Sequence, residues 1–115
     1  MPRVANKKSK AVLPLEQMSE HAGDAAALLK ALAHPARLLV MCRLLESESS
    51  AGDLQPLTGL SVSALSQHLA VLRELGLVET RRESQTIFYS IVDGPALGVL
   101  DALYAAYCGR DQVKK

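Results

Sequence analysis

Two sets of residues in this chain have the types and spacing to do chemistry. The first is a run of short hydrogen-bonding side chains, Ser61, Ser63, Ser66 and Gln67, set among apolar residues. Hydroxyls and a carboxamide both donate and accept, so such a run suits phosphate oxygens and the edges of bases. The second is a pair of thiols, Cys42 and Cys108. Cysteines bind soft metals, pass two electrons to an oxidant by joining, or sit inert in a core as small hydrophobes. Residue type alone leaves all three roles open.

The elements that must position these groups follow from hydrophobic spacing. Leu65, Leu69 and Leu72 recur at i, i+4 and i+7, with Val62 extending the stripe, which predicts an amphipathic helix with that stripe turned inward. Ser63, Gln67 and Ala70 then face outward, with Ser66 on the flank. An ordinary solvated face would carry more Lys and Glu, whereas Ser, Gln and Ala permit close entry into a groove. Ser61 suits the N-cap and Gly76 the position just past the end. Residues 77–81 and 86–92 then read as a hairpin, Ile87, Tyr89 and Ile91 alternating on a half-buried face. Its tip is Arg81-Arg82-Glu83-Ser84-Gln85.

Upstream, Leu15, Met18, Ala22, Ala25, Leu29 and Leu32 keep a helical period. Ala33-His34-Pro35 interrupts it, and Pro35 suits the first turn of a second helix. That helix carries Leu38, Leu39, Met41, Cys42 and Leu45 and fades into the polar residues 46–50. A short third helix over 51–57 and a turn at 58–60 lead to the reading helix. After the hairpin, Pro95 opens a last helix with Leu97, Leu100, Leu103, Tyr104 and Tyr107. The first and last helices hold more apolar surface than one packing face requires. The surplus predicts a homodimer burying Leu15, Met18, Leu100, Leu103 and Tyr107, packing on the chain's own core being the alternative. Residues 1–14 read as a flexible basic arm, 15–110 as one winged DNA-binding and dimerisation domain, and 111–115 as a tail.

Composition sets outer limits. A chain of 115 residues, 49% hydrophobic, supports one modest core that dimerisation would help. The net charge of +1 neither favours nor opposes nucleic acid. Arg3, Lys7, Lys8 and Lys10 concentrate charge in the arm, whereas Arg73, Arg81 and Arg82 are offset by Glu74, Glu79 and Glu83. Non-specific attraction to DNA should therefore be modest. Lys30, His34 and Arg37 interrupt the most apolar region, residues 25–45, and the N-terminus lacks an apolar run of signal length. A cytoplasmic protein is expected, where a permanent disulfide is not. There is no nucleophile-base spacing, phosphate loop or carboxylate pair of an enzyme, and no cofactor motif.

The segment LLKALAHPARLLVMCRLL, followed by GDLQPLTGLSVSALSQHLAVLRELGLVETRRESQTIFYSI, resembles the ArsR/SmtB family of bacterial repressors. The likeness covers about residues 15–108. It implies a mainly α winged helix-turn-helix with a β-hairpin (α1-α2-α3-α4-β1-β2-α5), dimeric through its terminal helices, on an inverted-repeat operator in double-stranded DNA. By the same likeness Ser61, Ser63, Ser66, Gln67 and His68 become operator contacts, His68 being equally suited to packing, and Arg81, Arg82 and Gln85 become wing contacts. The metal-sensing members carry a Cys-x-Cys pair where this chain has Ser50 and Gly52, and histidines after the hairpin where this chain has none. No metal site is expected. One cysteine on the second helix and one at the end of the last resemble the sulfide- and redox-responsive BigR, SqrR and HlyU type. That likeness implies release from DNA when Cys42 and Cys108 are bridged by a disulfide or polysulfide, the signal being a reactive sulfur species or oxidant. The alternatives are a DNA-binding regulator with structural cysteines and another signal, an activator that displaces another protein, or a winged-helix module that binds proteins.

Overall fold

A computed structural model of the chain describes residues 14–109; the basic arm up to residue 13 and the tail lie outside these residues. In chain order the elements are α1 (Leu15–Leu32), α2 (Pro35–Glu46), β1 (Ser49–Ser50), α3 (Ala51–Thr58), α4 (Val62–Glu74), β2 (Val78–Glu83), β3 (Thr86–Ile91) and α5 (Pro95–Tyr104), followed by a π-helical turn (Ala105–Gly109). The chain divides into two units at residues 30 and 31.

In the first unit α1 leaves Leu15, Met18 and Leu29 exposed. In the second, local signals set each boundary. His34 caps α2, its Nδ1 accepting from the Ala36 N–H at 3.1 Å, and Pro35 takes the first turn, where a missing N–H costs nothing. Ser50 and Asp53 form a reciprocal cap on α3, each side chain accepting from the other's backbone N–H. The Ser50 N–H, and after it the Ser50 hydroxyl, hold the Asp53 carboxyl below its usual range. Ser61 caps α4, its hydroxyl accepting from the Ala64 N–H at 3.1 Å. Gly76 ends that helix at φ +75°, and bonds from Gly76 N–H to Arg73 and from Leu77 N–H to Leu72 satisfy its last carbonyls.

The core of this unit is built mainly from Val40, Met41 and Leu44 of α2, Leu54 of α3, Leu65, Leu69 and Leu72 of α4, and Leu100 of α5. Three expectations are corrected here. Val62 is 63% exposed, because the first turn of α4 extends past the core that its later turns cover. Leu100 is 1% exposed within the single chain, so it belongs to the subunit core and has no surface left for a dimer face. Residues 49 and 50, read as a polar run, form a third strand: the sheet order is β1-β3-β2, all antiparallel, with Ser49 opposite Tyr89 and Ser50 opposite Phe88. With both edges of β3 paired, its alternation is softened; Phe88 and Ser90 are half-buried along with Tyr89 and Ile91.

Candidate nucleic-acid interface and cysteine pair

Leu65, Leu69 and Leu72 of α4 are fully buried, and this fixes the opposite face outward. Ser61, Ser63, Ser66, Gln67 and Ala70 are all exposed. Ser61 has already spent one lone pair on its cap; the hydroxyls of Ser63 and Ser66 and the Gln67 amide make no hydrogen bond within the described residues. A helix face of small side chains with unspent donors and acceptors is what reading of base edges requires.

His68, on the flank of this face, is placed as a linker. Its Nδ1 accepts from Arg37 Nε at 3.0 Å, and its ring lies 4.2 Å from the His34 ring, tilted by 49°. Arg37 also donates through Nη1 to the Ala31 carbonyl at 3.3 Å. One guanidinium thus ties α4 to α2 and to the last turn of α1. Burial first, then the neighbouring His34 and Arg37, push the His68 pKa below the ordinary histidine value of 6.5. The folded imidazole therefore stays neutral while an unfolded one takes up a proton, so stability is complete above pH 6.5 and declines as pH falls toward the lowered value. We expect the wild-type chain to lose more melting temperature between pH 7.5 and 5.5 than His68→Gln, which keeps an acceptor for Arg37 without titrating. Equal losses would remove His68 from the account.

One residue of the wing has partners that its spacing does not disclose. Arg81, on β2, reaches over Phe88 of β3 to the residue before β1: Nε and Nη2 each donate to Glu48 at 2.8 Å, Nη1 donates to Glu83 at 3.4 Å, and the guanidinium stands 4.8 Å from the Phe88 ring centre. This bidentate bond holds the Glu48 carboxyl below its usual range. Arg81, expected as a wing contact to phosphate or minor groove, also anchors the hairpin to the α2–β1 connection. Arg82, Ser84 and Gln85 are exposed at the tip, with Ser84 at φ +59° in the two-residue turn.

Both cysteines are exposed and unbridged. Cys42 is on α2, five residues beyond Arg37; Cys108 is on the π-helical turn that extends α5. Burial raises the Cys42 pKa above its ordinary value of 9.0, and the Cys108 thiolate and the Glu46 carboxylate raise it further. Among the described residues, no three His, Cys, Asp or Glu side chains gather as metal ligands. No single helix among them is long and apolar enough to cross a membrane. Leu103, Tyr104 and Tyr107 are exposed on the last helix and its extension, Tyr107 at 76%.

Residues 34–80 match the family described as bacterial regulatory protein, arsR family. The transcriptional activator HlyU of Vibrio cholerae is 43% identical over 102 residues, 89% of this chain and 94% of that one. A structure of its reduced form superposes with a TM-score of 0.76 at 45% identity, covering 82% of this chain and 99% of HlyU. The transcriptional repressor BigR from Xylella fastidiosa gives a TM-score of 0.77 at 44% identity, covering 84% and 98%. A homodimeric winged helix-turn-helix DNA-binding domain from Mycobacterium bovis gives 0.66 at 26% identity, covering 89% and 94%. The relatives are regulators rather than enzymes. The chain is a member of the ArsR family, a winged helix-turn-helix transcriptional regulator of the BigR/HlyU type.

Proposed function

We propose that this chain is a homodimeric repressor that binds an inverted-repeat operator through α4 and the wing, and leaves it when Cys42 and Cys108 are oxidised together. The observation that carries the switch is the placement of the two thiols, both exposed, on α2 and on the turn after α5, with the Cys108 charge acting on Cys42. The reading face rests on Ser63, Ser66 and Gln67, with Arg82 and Gln85 at the wing tip. Ser61 caps the helix through its oxygen and keeps its O–H to donate to a phosphate oxygen.

With peroxide, the two thiols give up two protons and two electrons to form a disulfide, and the peroxide becomes two waters. With a low-molecular-weight persulfide, each thiolate takes the outer sulfur and releases the carrier thiol. The two protein persulfides then condense to a trisulfide with loss of hydrogen sulfide. Either bridge joins the helix that carries Arg37 to the end of α5. Arg37 holds His68 on α4, and the connection after α2 holds Arg81 through Glu48, so a shift of α2 reaches both parts of the reading head. Each tenfold loss of affinity requires only about 1.4 kcal/mol against the DNA-binding conformation.

The DNA assignment is tested by titration. Gln67→Ala is expected to lower operator affinity by about 1–3 kcal/mol through loss of a bidentate base contact. Arg82→Ala should weaken all sequences alike and reduce the salt slope by about one unit. Wild-type binding by both across salt concentrations would move the interface elsewhere. Dimerisation is supported by the exposed apolar residues of α1 and, separately, by Leu103 and Tyr107. Sedimentation should give twice the 12.3 kDa chain mass; a monomer at working concentration would contradict it. The same fold could serve a protein partner, but apolar docking would not weaken steeply with salt, and that measurement separates the two.

A further inference from the structure

Between α4 and the wing lies an open groove of about 470 Å³, lined by Ser66, Leu69, Ala70, Arg73 and Glu74 of the helix and by Tyr89 of β3. Ser66, Ala70 and Arg73 are at i, i+4 and i+7, so they form one stripe along the helix beside the reading face. Charge commitments single out one residue of that stripe. Arg37 is bonded to His68 and the Ala31 carbonyl, Arg43 to Glu46, and Arg81 to Glu48 and Glu83. Arg73 is exposed and makes no ion pair or hydrogen bond among the described residues; Arg82 at the wing tip is the other guanidinium in that condition. The groove thus holds an uncommitted cation within a wall that also carries two hydroxyls.

The position of the groove identifies what would enter it. If α4 occupies the major groove and the hairpin tip reaches the adjacent minor groove, one sugar-phosphate strand separates those grooves and must pass between helix and wing. We propose that this groove is a binding site for a backbone phosphodiester of DNA, with the Arg73 guanidinium as its cation and the Ser66 and Tyr89 hydroxyls as neutral donors. The proposal rests on the DNA-binding reading and refines it: Ser66 is assigned to the backbone rather than to bases, and two residues join the interface. Phosphate contacts from guanidinium and hydroxyl groups set register without reading sequence. Glu74, in the same wall, opposes the phosphate charge and keeps this contact weak.

The test uses the full chain and a mixed-sequence duplex of about 30 base pairs, three helical turns, since a phosphate contact needs no operator. Binding is followed by fluorescence anisotropy across a range of sodium chloride concentrations, with thermal melts of each variant. Arg73→Ala should reduce the slope of log affinity against log salt by about 0.9, the value for one phosphate contact, while melting as the parent does. Arg73→Lys should restore the slope. Tyr89→Phe should weaken binding at every salt concentration without changing the slope, because a neutral donor displaces no counterion. Glu74→Gln should strengthen binding. A parent that binds with a salt slope, joined to an Arg73→Ala chain of equal slope while Arg82→Ala lowers it, would overturn the groove assignment alone. A parent whose affinity ignores salt would overturn the DNA reading and the groove with it.

Discussion

Cys42→Ser and Cys108→Ser chains are each expected to bind DNA when reduced and to stay bound after persulfide or peroxide treatment, while the parent chain is released. Serine keeps the size and a hydrogen-bonding oxygen but cannot join a sulfur bridge, so each substitution removes the chemistry and leaves the exposed sites otherwise intact. The effect is all or none in the readout, since one remaining thiol cannot close an intrachain bridge. Mass measurement of the treated parent distinguishes the two products. A disulfide loses two hydrogens, whereas a trisulfide loses two hydrogens and gains one sulfur. Normal release by either serine chain would show that the pair is not the switch. The raised pKa of Cys42 adds a direction: its thiol is mostly protonated near neutrality, so bridging should speed up as pH rises toward and past 9.0.

Leu69→Ala is expected to cost about 2–5 kcal/mol of stability, a large part of the roughly 5–15 kcal/mol that holds a domain of this size. Leu69 is 1% exposed and lies between Leu65 and Leu72, at 1% and 0%, in the stripe that seats α4. Truncation leaves a cavity beneath the reading face, and the outward residues lose the surface that aims them. Denaturant unfolding should show a lower midpoint with an unchanged slope. Ala70→Ser, on the outer face of the same helix, should leave the midpoint within about 0.5 kcal/mol. Comparable losses in both would mean that the helix faces are misassigned.

Much of this architecture was legible because its signals are local. The leucine stripe of α4, the Ser61 cap, the Gly76 stop and the proline starts of α2 and α5 each depend on residues within a few positions. What escaped the sequence depends on partners distant along the chain. Ser49 and Ser50 have no strand character of their own and become a strand only because β3 offers an edge. Arg81 looked like a free wing cation until Glu48, 33 residues earlier, was found to hold it. The Arg37–His68 bond, 31 residues apart, is equally invisible to periodicity. Val62 and Leu100 fit their helical stripes, but a stripe does not say how far the core extends or which chain covers it. The site divides in the same way. The outward face of α4 could be read from spacing, whereas Arg73 and Tyr89 come together only when the hairpin folds beside the helix.

The short strand β1 has a kinetic consequence. The β2–β3 hairpin closes through a two-residue turn and can form within microseconds, as can the individual helices. Pairing of Ser49 with Tyr89 must instead close most of the intervening chain, including α3 and α4, before its few backbone bonds offset the loop entropy. The third strand is therefore a late event in folding and the first part of the sheet to open in the native state. Amide exchange at Ser49 would then report an opening in which the wing detaches from the α2–β1 connection while the reading helix remains packed, whereas the Ser50 N–H, held by Asp53, reports the α3 cap.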